Sequence, residues 1–169
     1  DCVMSSPISG SSFVFDNVYI QSVATTAGIV EYQGPLGHYF DKHYPDHYHH
    51  NVSYEQAEIE MLKDALLICL KNGKVKKEEI DFYFGGDLNN QLTACYYYAN
   101  HLHRPFIGLY SACSTIGLAL ANASIMIENH SIHKAIACTV SHNATAERQF
   151  RYPLEYGIQR KETMTFTAT

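Results

Sequence analysis

Apolar residues recur at helical spacing through residues 53–73, where Ile59, Leu62, Ala65, Leu66, Cys69 and Leu70 fall on one face. Ser53 and Gln56 form a capping box at the start of this segment, with each side chain satisfying a backbone N–H of the first turn. Gly73 supplies a stop in the left-handed conformation. Elsewhere the pattern is that of strands. Residues 13–15 read as a short edge strand, 18–27 as the first long strand, and 80–84, 105–110 and 134–140 as buried strands. In residues 163–169, Thr alternates with Met164, Phe166 and Ala168, as in a half-buried strand. Further helices are predicted over 90–101 and 114–128, and residues 144–163 read as irregular. The 114–128 helix has almost no polar face. A helix that is apolar all round is buried all round, and a sheet covers only one side of it.

Strands alternating with helices imply an α/β fold with a doubly wound, mainly parallel sheet and right-handed crossovers. Ligands in such sheets bind at the carboxyl ends of the strands. Asp87, Cys113 and His142 each follow a predicted strand, so polar groups from three strands converge on one rim. The stretch Gly108-Leu109-Tyr110-Ser111-Ala112-Cys113-Ser114-Thr115 has the pattern of a nucleophile elbow: strand, tight turn of small residues, then helix. Backbone N–H groups at the helix start favour a thiolate at Cys113 and any bound anion near Ser114. The plainer reading of Cys113 is a buried small hydrophobe.

Net charge is −5 with ten histidines held neutral, and no basic stripe exists, which argues against a nucleic-acid partner. The longest apolar run is too short to span a bilayer. No signal peptide is expected, and the amino end reads as trimmed because it lacks Met. The five cysteines, Cys2, Cys69, Cys95, Cys113 and Cys138, form no C-x-x-C pair, which fits a reducing compartment. Residues 36–51 crowd His38, His43, His47, His49 and His50 among tyrosines. Their spacing matches no metal motif, so a loop covering a neighbouring surface is expected rather than a metal site. No cofactor is expected.

Three blocks carry a family resemblance: Gly86-Asp87-Leu88-Asn89-Asn90-Gln91, the elbow 108–115, and Ser141-His142-Asn143 continuing to Gly157. The elbow resembles the thiolase and ketoacyl synthase superfamily, and the three blocks together resemble the stage V sporulation protein AD family of spore-forming bacteria. The resemblance implies a thiolase-like amino-terminal half-domain over 13–169, preceded by a frayed 1–12. It implies a five-stranded, mainly parallel sheet in the order 3-2-1-4-5, with the last strand antiparallel and helices on both faces. Members are two similar halves, so pairing with a second half, or a homodimer, is implied. So are binding of dipicolinic acid, alone or as its calcium chelate, and a peripheral place at the cytoplasmic face of the spore inner membrane beside integral membrane partners. On this reading Asp87, Asn90, Cys113, Ser114, His142 and Arg148 line the ligand site. Arg148 or Arg151 would pair a carboxylate. Asp87, Asn89 and Asn90 carry oxygens suited to calcium. The rival reading is an acyltransferase or condensing enzyme with Cys113 as nucleophile. The superfamily's catalytic His lies in the other half, so His142 does not inherit that role.

Overall fold

The computed structural model describes residues 7–9 and 12–151. In chain order the elements are β1 (Pro7–Ser9), β2 (Ser12–Phe13), β3 (Thr26–Ala27), α1 (Ile29–Tyr32), β4 (Lys42–His43), α2 (Tyr54–Gly73), β5 (Phe82–Asp87), α3 (Thr93–Leu102), β6 (Phe106–Leu109), α4 (Thr115–Glu128), β7 (Ala135–Val140) and α5 (Asn143–Arg151). The chain is mixed α/β, and its main sheet is parallel. β5 lies in the centre, pairing with β6 from Tyr83↔Phe106 to Gly86↔Leu109 and with β7 from Phe82↔Ala135 to Asp87↔Val140. Such a strand is covered on both faces, so it reads as a continuous apolar run rather than an alternation. Tyr83 points into a core shared with Met61, Leu62 and Leu66 of α2 and with Cys95 and Tyr98 of α3. Phe84 points the other way, against Ala119 and Ala123 of α4. Burying Phe84 fully contributes about 1.5–3 kcal/mol.

Residues 18–25 form no strand. Only Thr26–Ala27 pairs, parallel to Lys42–His43. The preceding residues bond instead to α2, where Gln21 Nε2 donates to the Gly73 carbonyl and Ser22 Oγ to the Cys69 carbonyl, and Thr26 Oγ1 adds a bond to the Met61 carbonyl. Tyr19, Ile20 and Val23 stay exposed. The expected strand order therefore does not form, because β5 bonds directly to β7 where the first strand was to lie between them. Gly73 is the last residue of α2 and Lys74 takes the left-handed conformation, at φ 52°. A Cβ at Gly73 would press on Ser22 Oγ, so this glycine makes room for the crossing chain. The Ser53 cap forms, but Gln56 Oε1 accepts from the N–H of Val52 rather than from that of Ser53.

The other departures are local. Of 13–15, only Phe13 is in a strand, paired with β1. The helix expected from 90 starts at Thr93, because Leu92 turns through φ 54°. Residues 143–151 are helical where an irregular run was expected; the His142 carbonyl accepts from the Ala146 N–H and the Thr145 hydroxyl and so starts the helix. The 163–169 alternation lies outside the described residues. No helix among the described residues is long and apolar enough to cross a membrane.

The apolar helix α4 sorts its side chains by size. Small residues face the sheet, with Ala119 fully buried. Ile116, Leu118, Leu120 and Ile125 remain exposed. At its carboxyl end Glu128 is buried and accepts the backbone N–H groups of Asp16 and Asn17 at 3.2 and 3.0 Å, tying the amino-terminal arm to α4. Of the exposed aliphatics, Leu118 and Ile125 are seven positions apart and share one outward face, and an exposed aliphatic face of this kind favours association. The isolated chain is expected to self-associate and to bind a hydrophobic dye, and Leu118→Lys combined with Ile125→Lys should reduce both. Light scattering and dye fluorescence check this.

Candidate functional site

β6 runs into a single turn of 3-10 helix, Ala112–Ser114, and α4 begins at Thr115. Ala112 is at φ 46°, a left-handed conformation that costs a non-glycine residue about 1–3 kcal/mol. The turn is held by its own hydroxyls. Thr115, fully buried, accepts the Ser111 N–H at 3.1 Å and donates to the Ala112 carbonyl at 2.8 Å. Ser114 Oγ donates to the Ser111 carbonyl at 2.8 Å and lies 2.6 Å from Ser111 Oγ. Beneath the turn sits Gly86 of β5, where a Cβ would collide with the Leu109 carbonyl oxygen and the Thr115 methyl. The elbow can seat on the sheet only because that side chain is absent.

Cys113 is free and exposed. With Ala112, Leu88 and Ser141 it lines part of a cavity of about 800 Å³, walled by residues 18–26, α2, α4 and β7. Ile20, Leu66, Ile116, Leu120 and Ile136 make much of its surface apolar. Asn90 is exposed on the loop between β5 and α3.

Asp87 and His142 reach the same end of the sheet but lie beneath its surface. Each is about 2% exposed or less. Asp87 Oδ1 accepts the Asn89 N–H at 2.9 Å, which shapes the loop after β5. His142 Nε2 lies 2.7 Å from the His47 carbonyl and so donates to it. His142 Nδ1 accepts the Ala144 N–H at 3.1 Å. Both ring nitrogens are thus engaged, which fixes the neutral imidazole with its proton on Nε2. Burial pushes the His142 pKa down. Arg148 pairs with Glu55 and lines a separate, smaller cleft with His47, Tyr54 and Asn143. The structure therefore gathers Cys113 and Ser114 at the open elbow, holds Asp87 and His142 as framework below, and puts Arg148 elsewhere. Nothing of the Arg151 side chain is described.

The His- and Tyr-rich loop packs onto these strand ends. Tyr44 stacks on His49 at 3.9 Å and Tyr48 on Tyr54 at 4.6 Å, while Tyr54 and His49 lie 5.3 and 5.6 Å from His142, measured between ring centroids. Of its imidazoles, that of His49 is buried in this stack, and among the described residues no group of three or more His, Cys, Asp or Glu is placed to hold a metal ion. Three contributions escape the sequence reading: the His47 carbonyl, the buried Thr115 hydroxyl and Glu58. Only Glu58 has a sequence signal, a carboxylate one turn before Leu62 on the apolar face of α2.

Two outcomes follow from this geometry. Gly86→Ala should destabilise the protein by about 1–3 kcal/mol through overpacking and disturb the elbow, as read by denaturant unfolding and Cys113 alkylation rate. The pKa values of His142 and His49 are both lowered, first by burial, so the unfolded chain binds protons more readily. Their contribution to stability is present above the ordinary His value of about 6.5 and lost as pH falls below it. Unfolding midpoints across that range should fall on acidification, and NMR titration should show both rings neutral at lower pH than exposed histidines.

Comparison with known proteins agrees with the three sequence blocks. The stage V sporulation protein AD family matches residues 10–169. The stage V sporulation protein AD of Bacillus subtilis (strain 168) is 42% identical over 159 residues, which cover 94% of this chain and 47% of that protein. The chain thus spans about half the length of the curated relative it matches.

Proposed function

The chain belongs to the stage V sporulation protein AD family, and from that premise we propose that it is the amino-terminal, thiolase-like half of a sporulation protein that binds dipicolinic acid for uptake into the developing spore. The observation that carries the reading is the elbow's position: exposed Cys113 beside the start of α4, on the wall of a largely apolar cavity. Dipicolinate is a rigid aromatic ring with two carboxylates. An apolar wall suits the ring, and helix-start N–H groups suit a carboxylate. Asn90 and the Ser114 hydroxyl stand at the rim, while Asp87 and His142 act by holding the rim's backbone. A calcium chelate would meet the oxygens of the loop after β5. The outward face of α4 at Leu118 and Ile125 fits a second half, or a second copy, packed against it. In this reading the protein is peripheral, on the cytoplasmic face of the spore inner membrane, beside integral membrane proteins of the same system.

A second reading, acyl transfer through Cys113, is favoured by the apolar cavity behind an exposed thiol. It needs a base, and both nitrogens of His142 are engaged.

Calorimetry on the full-length protein tests the first reading. Dipicolinate should bind more tightly than benzoate. Cys113→Trp, which fills the mouth of the cavity, should abolish binding, and Cys113→Ala should weaken it modestly. Arg148→Ala should leave affinity unchanged; a loss of about ten- to hundredfold, the value of a charge-assisted contact, would move the site to the smaller cleft. If wild type ignores dipicolinate with and without calcium, the reading fails. Covalent acyl labelling of Cys113 that Cys113→Ala abolishes would favour the enzyme.

A further inference from the structure

Glu58 sits on the buried face of α2 at 2% exposure, and Asp87 closes β5 at 1%. The two carboxyls face each other across the junction of α2 and β5, each felt in the other's ionisation. Glu58 Oε1 and Asp87 Oδ2 are both buried and neither accepts a hydrogen bond. The remaining oxygens are engaged: Asp87 Oδ1 accepts the Asn89 N–H, and Glu58 Oε2 accepts the Thr145 hydroxyl at 3.0 Å. The Thr145 hydroxyl also reaches the His142 carbonyl at 2.9 Å. The groups facing the pair are Cys95 on α3, Thr145 on α5 and the backbone N–H groups of Leu88, Asn89 and Ala94. None of the ion pairs among the described residues includes either carboxyl.

Two buried carboxylates in contact, with no cation beside them, repel one another. One proton placed between the two unpartnered oxygens removes the repulsion and satisfies both atoms. We infer that Glu58 and Asp87 hold a single proton between them at neutral pH, and that this shared proton is a latch fastening α2 to the end of β5 and, through Thr145, to the start of α5. Burial raises the proton affinity of both carboxyls, and their mutual contact raises that of Glu58 further while lowering that of Asp87, so the proton resides on Glu58 Oε1 and Asp87 accepts. Burial, then the Asp87 charge, pushes the Glu58 pKa up to about 9. The latch lies under the rim that carries Leu88, Asn89 and Ser141. Opening it at alkaline pH would loosen that rim whatever ligand the rim takes, so the inference stands apart from the dipicolinate reading.

A group whose folded pKa is raised contributes stability that is complete below its unfolded value and is lost as pH rises through its folded value. For Glu58 this window runs from 4.5 to about 9. Across it the folding equilibrium of the full-length protein should weaken by up to tenfold per pH unit from this one proton. Glu58→Gln supplies a permanent donor to Asp87 and should remove that slope. At pH near 7, infrared spectroscopy should show a protonated carboxylic acid band in wild type that Glu58→Gln removes. Hydrogen exchange of the α5 amides, corrected for the intrinsic rate, should accelerate at alkaline pH in wild type and not in Glu58→Gln. Should that variant misfold, Asp87→Asn is the second test: without the facing carboxylate, the alkaline loss should move. No protonated acid band in wild type at neutral pH, an unchanged slope in Glu58→Gln, or an unmoved alkaline midpoint in Asp87→Asn would each overturn the latch.

Discussion

The missing side chain at Gly86 is the constraint on which the functional end of the molecule depends. Two parallel strands at ordinary spacing would leave the turn after β6 standing clear of the sheet. Here the Leu109 carbonyl and the Thr115 methyl occupy the volume a Cβ would take, and the turn folds down onto β5. The Ser111 and Thr115 bonds then lock it, at the cost of a left-handed Ala112. With the turn down, Cys113 faces the cavity and α4 lies across the sheet with Ala119 in contact. Close approach, strained turn and helix placement form one arrangement, and altering any member disturbs the others.

Much of this was legible in the sequence. The central strands, the long capped helix α2 and the elbow follow from hydrophobic period and turn chemistry, which act over a few residues. What sequence does not show is where a segment finds its hydrogen bonds. Residues 18–27 read as one strand, yet only Thr26 and Ala27 pair, while the Gln21 amide and Ser22 hydroxyl divert the residues before them to carbonyls of α2. Residues 144–163 read as irregular, but the His142 carbonyl starts a helix at 143–151, and Thr145 and Ala146 face inward. The site was legible as a rim and not as a division of labour. Strand ends pointed to Asp87 and His142, but not to whether they face outward or down, because burial is decided by the loop at 43–54 and by Glu58, far away in the chain. Glu58 itself is readable only as an anomaly, a carboxylate within an apolar stripe.

The polar interior beneath the rim differs in kind from the two apolar clusters. Those clusters tolerate small changes of volume with graded loss. The Glu58–Asp87 contact and the His142 bonds depend on which atom holds a hydrogen, and a wrong protonation state leaves a buried donor facing a donor or a charge facing a charge. The sheet end is therefore bounded on the acid side by imidazoles that must stay neutral and on the alkaline side by a carboxyl that must stay protonated.

The bond between His142 Nε2 and residue 47 uses a main-chain oxygen, not the imidazole of His47. Its acceptor is present whatever amino acid occupies that position. Sequence drift at residue 47 can therefore proceed without disturbing the clasp, whereas drift at 142 cannot: two positions joined by one bond evolve under unequal rules. A substitution at 47 gives up the edge-on contact of its ring with His142 and keeps the main-chain acceptor, so the loop stays pinned to the sheet.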